Sequence, residues 1–266
     1  MLKLFRSLSL IIDYKTWIVT ALSVITTYYC AYFKFIGDLP ITLIGTAIIF
    51  PVVFSINSAY KRREDAIMCY ASFKSNLLSL FLSAKNWTND HQVTYVQQSK
   101  VLLVDCIKLM HGYFLQNPDN HAQRDRLVYQ QFDEISQFIQ TYRSAGVTPS
   151  ELSRLDQYLS KCIVDFEKMR KIFLYRTPNS LRTYSKFFTY TFPVLYAPYF
   201  AHHLNDGNET LIGYLSAVLY SFVFVSLINI QDQLENPFDQ YGEDDLQFDI
   251  EEFEDMLNGL WNKRKI

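Results

Sequence analysis

Between Leu39 and Ile56 the chain carries about eighteen consecutive residues without a charge, near the lower end of what crosses a hydrocarbon core. It then runs directly into Asn57-Ser-Ala-Tyr-Lys-Arg-Arg-Glu-Asp65, a polar and basic border. Read as a helix, the stretch places Thr46, Phe50 and Phe54 on one face, because residues four apart are stacked. Such a stripe serves either as a packing face against a neighbouring helix or as the wall of a narrow pore. Pro51 lacks an N–H and crowds the carbonyl of Ala47, so a kink is expected there. In a membrane helix, neighbours can satisfy the freed group.

The 266 residues are 49% hydrophobic, and the apolar ones gather in blocks near 17–36, 39–56, 187–201 and 211–230. A long polar middle of helical character separates them. That distribution predicts an all-α integral membrane protein with a substantial water-facing part. A net charge of −2, without a basic strip interleaved with aromatics, offers nothing to nucleic acid. Cys30, Cys69, Cys106 and Cys162 lie far apart without a CxxC pair, and read as reduced, buried small hydrophobes. Lys3 and Arg6 precede a short apolar piece that Asp13 and Lys15 interrupt. This is too short for a signal peptide and reads as an amphipathic helix at the membrane surface.

Along the chain, Trp17–Ile36 is the first spanning candidate, flanked by Lys15, Trp17, Tyr32 and Lys34 as interface anchors. Gly37-Asp-Leu-Pro40 makes the turn into the second span. Residues 57–180 read as a helical water-facing domain, with helices expected over 57–82, 93–116, 125–145 and 149–175. Thr148-Pro-Ser-Glu151 is a capping box with proline at the first helical position. Leu152, Leu155, Leu159, Ile163, Phe166, Met169 and Phe173 follow on one face.

Phe187–Ala201 is short for a span and holds Pro193 and Pro198. Topology decides its reading. Lys and Arg crowd both termini, residues 61–63 and the middle domain, whereas 202–209 carries none. An even number of spans keeps all the basic parts on one side. Four transmembrane helices are therefore expected, with both termini cytoplasmic. The segments are residues 1–56 (surface helix and spans one and two), 57–180, 181–232 (spans three and four) and an acidic stretch with a short helix over 233–266.

Glu243, Asp244, Asp245 and Asp249 offer hard oxygen ligands suited to calcium, but not in the register of an EF-hand loop. A solvated acidic turn, or a partner for Lys61-Arg62-Arg63, is the plainer reading. His111 reads as an ordinary packed or surface residue, and His202-His203 lacks a third metal ligand. The chain contains no nucleophile elbow, P-loop or HExxH, so no enzyme is expected.

Leu43-Ile-Gly-Thr-Ala-Ile-Ile-Phe-Pro-Val-Val-Phe-Ser-Ile-Asn-Ser-Ala-Tyr-Lys-Arg62 resembles the pore helix of the bestrophin family of ion channels, bacterial type, with its N-x-A-Y-x-R signature on Asn57, Tyr60 and Arg62. Thr177-Pro178 with Tyr184, and Asn236-Pro-Phe238 followed by Glu243-Asp-Asp245, resemble two further landmarks in the same order. The resemblance implies a ring-shaped homopentamer in the cell membrane, with the second helix of each subunit lining one central pore. A hydrophobic neck would fall on Thr46, Phe50 and Phe54, gating by dewetting. Thr46 stands where the family has an aliphatic residue, which is expected to leave the neck entrance wetter. In calcium-gated members the acidic cluster follows Asn-Pro-Phe almost directly; here Asp239-Gln-Tyr241 intervenes. The implied partners are other copies of the chain, small monovalent ions (chloride by the family default) and membrane lipids. A cation-selective channel of the same fold and a non-conducting scaffold or sensor are the alternatives. A secondary transporter would need inverted repeats and a charge at mid-membrane, and neither is visible.

Overall fold

The computed structural model describes residues 12–38, 40–88, 92–115, 121–175, 178–204, 210–240 and 245–262. All regular structure among them is helical: α1 (Tyr14–Tyr32), α2 (Ile41–Trp87), α3 (Gln92–Leu115), α4 (His121–Thr141), α5 (Pro149–Leu174), α6 (Asn179–Leu195), α7 (Ala197–His202), α8 (Thr210–Glu235) and α9 (Ile250–Asn262). The chain divides into two compact units, one of residues 1–61 and 176–236, the other of residues 62–175 and 237–266. The expected lead-in helix lies outside the described residues.

In the first unit α1 starts on the Asp13 side chain, which accepts the Tyr14 N–H, and ends in a Schellman motif. Phe35 N–H reaches the Cys30 carbonyl at 2.8 Å and Lys34 N–H the Ala31 carbonyl at 3.2 Å, with Lys34 left-handed at φ 56°. The helix therefore stops at Tyr32, short of the Ile36 expected from hydropathy. α2 continues unbroken through Pro51 for 47 residues, well past the expected end at Leu82. The third apolar block begins at Asn179 rather than Phe187 and breaks at Tyr196, between Pro193 and Pro198. Ser23 on α1 donates to the Pro193 carbonyl at 2.9 Å beside that break. α7 and α8 approach closely at Gly213, where a Cβ would lie 2.6 Å from the Phe200 carbonyl oxygen, so only glycine fits.

The first unit distributes its polarity in the reverse of a water-soluble bundle. The buried face of α1 is Thr16, Val19, Ser23 and Thr27, whereas Trp17, Ile18, Leu22, Ile25 and Tyr28 are exposed. Ser185 and Thr189 on α6, Ser55 on α2 and Ser221, Asn229 and Gln231 on α8 are buried as well. Small and hydrogen-bonding residues between helices, with large apolar ones outside, is the pattern of helices packed in lipid, where closeness of backbones rather than hydrophobicity drives association. Several hydroxyls close back onto their own helix, Thr27 onto Ser23 O and Ser221 onto Ala217 O. Among the described residues two helices, over 44–87 and 211–235, are long and apolar enough to cross a membrane. Their most apolar windows are only 28% and 39% buried, which a soluble core helix would not tolerate.

The second unit is built the ordinary way, on a large apolar core from the latter part of α2, α3, α4, α5 and α9. The capping box at Thr148 forms as expected, with Thr148 N–H on Glu151 Oε2 at 3.0 Å. On α5 the buried position goes to Cys162 rather than Ile163, which is only half-buried. The C-terminal segment is tied in by aromatics. Phe238 is fully buried and stacks on Phe114 with ring centroids 4.4 Å apart, and Phe248 stacks on the same ring at 5.7 Å. Lys74–Glu252 and Lys100–Glu254 ion pairs hold α9 at its rim. Cys106 and Cys162 are buried; Cys30 and Cys69, expected inside, are half-buried, and all four thiols are free.

Arg170 grips Asp125 in a two-pronged pair, Nε to Oδ1 and Nη2 to Oδ2, each 2.8 Å. Burial pushes the Asp125 carboxyl up, and the Arg170 guanidinium outweighs it, holding the group below its ordinary value. The stabilisation is thus present above about pH 4, the unfolded carboxyl's range, and is lost as pH falls through the lower folded pKa. Asp125→Asn is expected to remove about 2 kcal/mol at pH 7. In denaturant titrations the gap between native chain and variant should close in acid. Phe238→Ala, which deletes the ring between Phe114 and Phe173, is expected to destabilise the second unit by about 3 kcal/mol. Limited proteolysis should then cut the segment after Asn236 first.

Candidate pore-lining face

α2 has two unlike sides in the first unit. Gly45, Ile48, Val52, Ser55 and Ala59 recur at helical spacing and are buried. Ile48 joins Phe192, Tyr196, Phe200, Ala217 and Phe224 in the small apolar core of the unit. Thr46, Phe50, Phe54 and Asn57 occupy the opposite side and are exposed, Phe50 by 61% and Phe54 by 55%. The spacing that made the stripe legible therefore belongs to a face turned away from its own unit's interior. Among the described residues it is not packed against a neighbouring helix of its own unit, the first of the two readings open from sequence.

Phe50 and Phe54 meet edge to face, centroids 4.7 Å apart and planes at 84°. That contact braces the two rings against each other, since an edge-on pair places the positive rim of one ring on the negative face of the other. The Thr46 hydroxyl donates to the Thr42 carbonyl at 2.6 Å. In this rotamer its proton is directed to the helix rather than to solvent. No charged side chain lies between Thr46 and Phe54, so the face carries no electrostatic preference of its own.

The remaining sequence candidates are scattered. Asn57 and Tyr60 are exposed, while Arg62 is half-buried with Nη2 at 3.5 Å from the Ile172 carbonyl oxygen. Pro178 precedes α6 and Tyr184 is exposed on it; Thr177 lies outside the described residues. Of the acidic set, Glu243 and Asp244 also lie outside the described residues. Asp249 caps α9, its Oδ1 accepting the Glu252 N–H at 3.0 Å, and Asp245 is half-buried. The Asn236-Pro-Phe238 landmark is an anchor: Phe238 is clamped in the aromatic core and the Pro237 carbonyl accepts Leu246 N–H at 2.9 Å. His111 contacts Gln240 and the Phe248 ring, and burial lowers its pKa. The His202 and His203 rings lie 5.6 Å apart, with His203 edge-on to Tyr199. Among the described residues no three His, Cys, Asp or Glu gather as a metal-holding group.

Sequence reasoning missed the charges at the N-terminal end of α6 and the C-terminal end of α8. Arg182 bonds both oxygens of the buried Glu235 at 3.1 and 3.2 Å, and Lys186 pairs with Asp232 at 2.7 Å. These pairs fix the antiparallel register of the two helices. Their signal was the matching order of basic residues at 182 and 186 with acidic ones at 235 and 232, four and three residues apart.

No protein-family model matches the chain, and no curated protein does. Solved structures do. A variant of a bacterial Bestrophin homologue from Klebsiella pneumoniae matches with a TM-score of 0.77 at 17% identity, covering 93% of this chain and 98% of that one. A second variant of that homologue gives 0.76 at 16% identity over 93% and 97%. A structure described as a membrane protein gives 0.77 at 17% identity over 93% and 97%. At such identities the likeness is one of fold. The chain has a bestrophin-like fold, the arrangement its three landmark segments led one to expect.

Proposed function

We propose that the chain is one subunit of a homopentameric ion channel in the cell membrane, with the Thr46, Phe50 and Phe54 face of α2 forming the neck of a central pore. The observation that carries this reading is the exposed, braced phenylalanine pair on a helix whose other side is packed into its own unit. A single four-helix unit is too small to enclose a water-filled path, so conduction requires copies arranged around an axis. Rings of phenylalanine around that axis would hold a dry constriction that passes ions by wetting and dewetting.

In this reading α1, the start of α2, the α6–α7 pair and α8 are the four spans. From Asn179 to His202 the third span counts roughly 24 residues, about 36 Å at 1.5 Å per residue, sufficient to cross with its break included. Both termini and the second unit then lie on the cytoplasmic side, following the placement of basic residues. Anions are the default by resemblance. The uncharged neck leaves cation preference as the alternative, to be decided by charges elsewhere on the path. Calcium in the acidic segment would draw on Glu243, Asp244 and Asp245, since Asp249 already caps α9.

Planar-bilayer recordings of the purified chain test the reading. Phe50→Ala and Phe54→Ala are expected to raise single-channel conductance or open fraction severalfold, and the reversal potential in a salt gradient gives the sign of the permeant ion. A chain that carries no current, native or substituted, is the non-conducting scaffold instead. Mass measurement in detergent should return five copies.

A further inference from the structure

In the second unit, the end of the basic border and the turn of α2 after it face the last two turns of α5 across an open cleft of about 570 Å³. Arg62 and Asp65 line it from α2, Lys168 and Lys171 from α5 and Tyr175 from the C-cap of α5, with Met68 among the apolar residues between them. An adjoining cleft of about 440 Å³ shares Lys168, Lys171 and Tyr175 and continues along Val164 and Leu174. We infer that this cleft binds a phosphate-bearing anion, either the headgroup of an acidic phospholipid or a free phosphate compound.

Charge is the first support. Three cations from two helices converge on the first cleft against the carboxylate of Asp65, and the adjoining cleft adds one more of each sign, Arg170 and Glu167. Nearby Asp165 is buried and stands 3.8 Å from Lys168, too long a contact to hold an ammonium whose side chain is 60% exposed. Isolated surface lysines are commonly just solvated. Here they sit at steps of three and four on one helical face, Val164, Lys168, Lys171 and Tyr175, opposite an arginine whose planar fork suits phosphate oxygens. Arg62 also contacts the Ile172 carbonyl, which directs its guanidinium toward α5.

The second support is amphiphilic shape. Met68 and Tyr175 are among the most exposed large apolar residues of the unit, and Val164 extends the same surface. An inorganic ion has no use for such a surface, whereas the glycerol and upper acyl region of a lipid does. Chain connectivity supplies the third. Arg62 follows Ile56, the end of the uncharged run, by less than two helical turns, and Tyr175 is the last described residue before the chain re-enters the first unit. Basic groups so close to a spanning segment attract anionic lipid at the inner leaflet.

The test uses the full chain in detergent micelles and requires no current, so its failure is distinct from failure of the channel reading. Dioctanoyl phosphatidylinositol bisphosphate, dioctanoyl phosphatidylcholine and pyrophosphate are titrated against the native chain and the double variant Lys168→Gln/Lys171→Gln. Saturable binding of the anionic lipid is expected, about twenty-five-fold weaker in the variant at roughly five-fold per lysine, with phosphatidylcholine not binding. Pyrophosphate binding with equal affinity and equal sensitivity to the variant identifies a free phosphate compound as the occupant. Binding that differs less than about two-fold between native chain and variant, or no binding by either anion, overturns the inference. Cys69, half-buried in the cleft wall, gives a second readout. The ligand should slow its maleimide labelling in the native chain only, while the buried Cys106 and Cys162 stay unlabelled in both and report that the variant is folded.

Discussion

In lipid a backbone amide has no water to fall back on, and that constraint arranges the first unit. Many of the side chains that could compete for the helix ladders are turned inward, Thr16, Ser23 and Thr27 on α1 among them. Ser23 reaches the Pro193 carbonyl where two prolines break the α6–α7 stretch, and Asn229 reaches the Thr16 hydroxyl at 3.2 Å. Exchange of Ser23 for a larger apolar residue would appear conservative by hydropathy. It would separate the helices and leave a carbonyl without a donor.

The second unit obeys the opposite rule and hides its aromatics. Phe114 is the hub, touching Tyr113, Phe166, Phe173, Phe238 and Phe248. Because two of those rings belong to the segment after α8, the C-terminal stretch is part of this core rather than a tail appended to it. Charge then trims the edges: Arg170 with Asp125 inside, Lys74 and Lys100 with the acidic first turns of α9 outside.

The helical composition, the capping box at Thr148 and the Thr46–Phe50–Phe54 face were legible because each rests on local spacing. The ends of the spans were not. Hydropathy stopped the fourth at Ile230 and started the third at Phe187, whereas α8 runs to Glu235 and α6 begins at Asn179. In both cases the omitted turns are polar because Arg182, Lys186, Asp232 and Glu235 neutralise one another across the helix pair, a fact no single segment contains. The first span erred the other way. Phe33, Phe35 and Ile36 are apolar, yet the left-handed Lys34 ends α1 before them. Nor could spacing tell which side of α2 faces its own unit, since Ile48 and Val52 are as hydrophobic as Phe50 and Phe54.

Thr46 stands apart on its face in having two chemically different branches. In a helix threonine divides its time between two staggered positions, one of which is held by the bond to Thr42 O. A rotation of about 120° about χ1 exchanges methyl for hydroxyl on the open side without moving the backbone. Such flips take nanoseconds or less at exposed sites. The wettability of that face at Thr46 is therefore adjustable by side-chain rotation alone, on a timescale far shorter than any movement of α2.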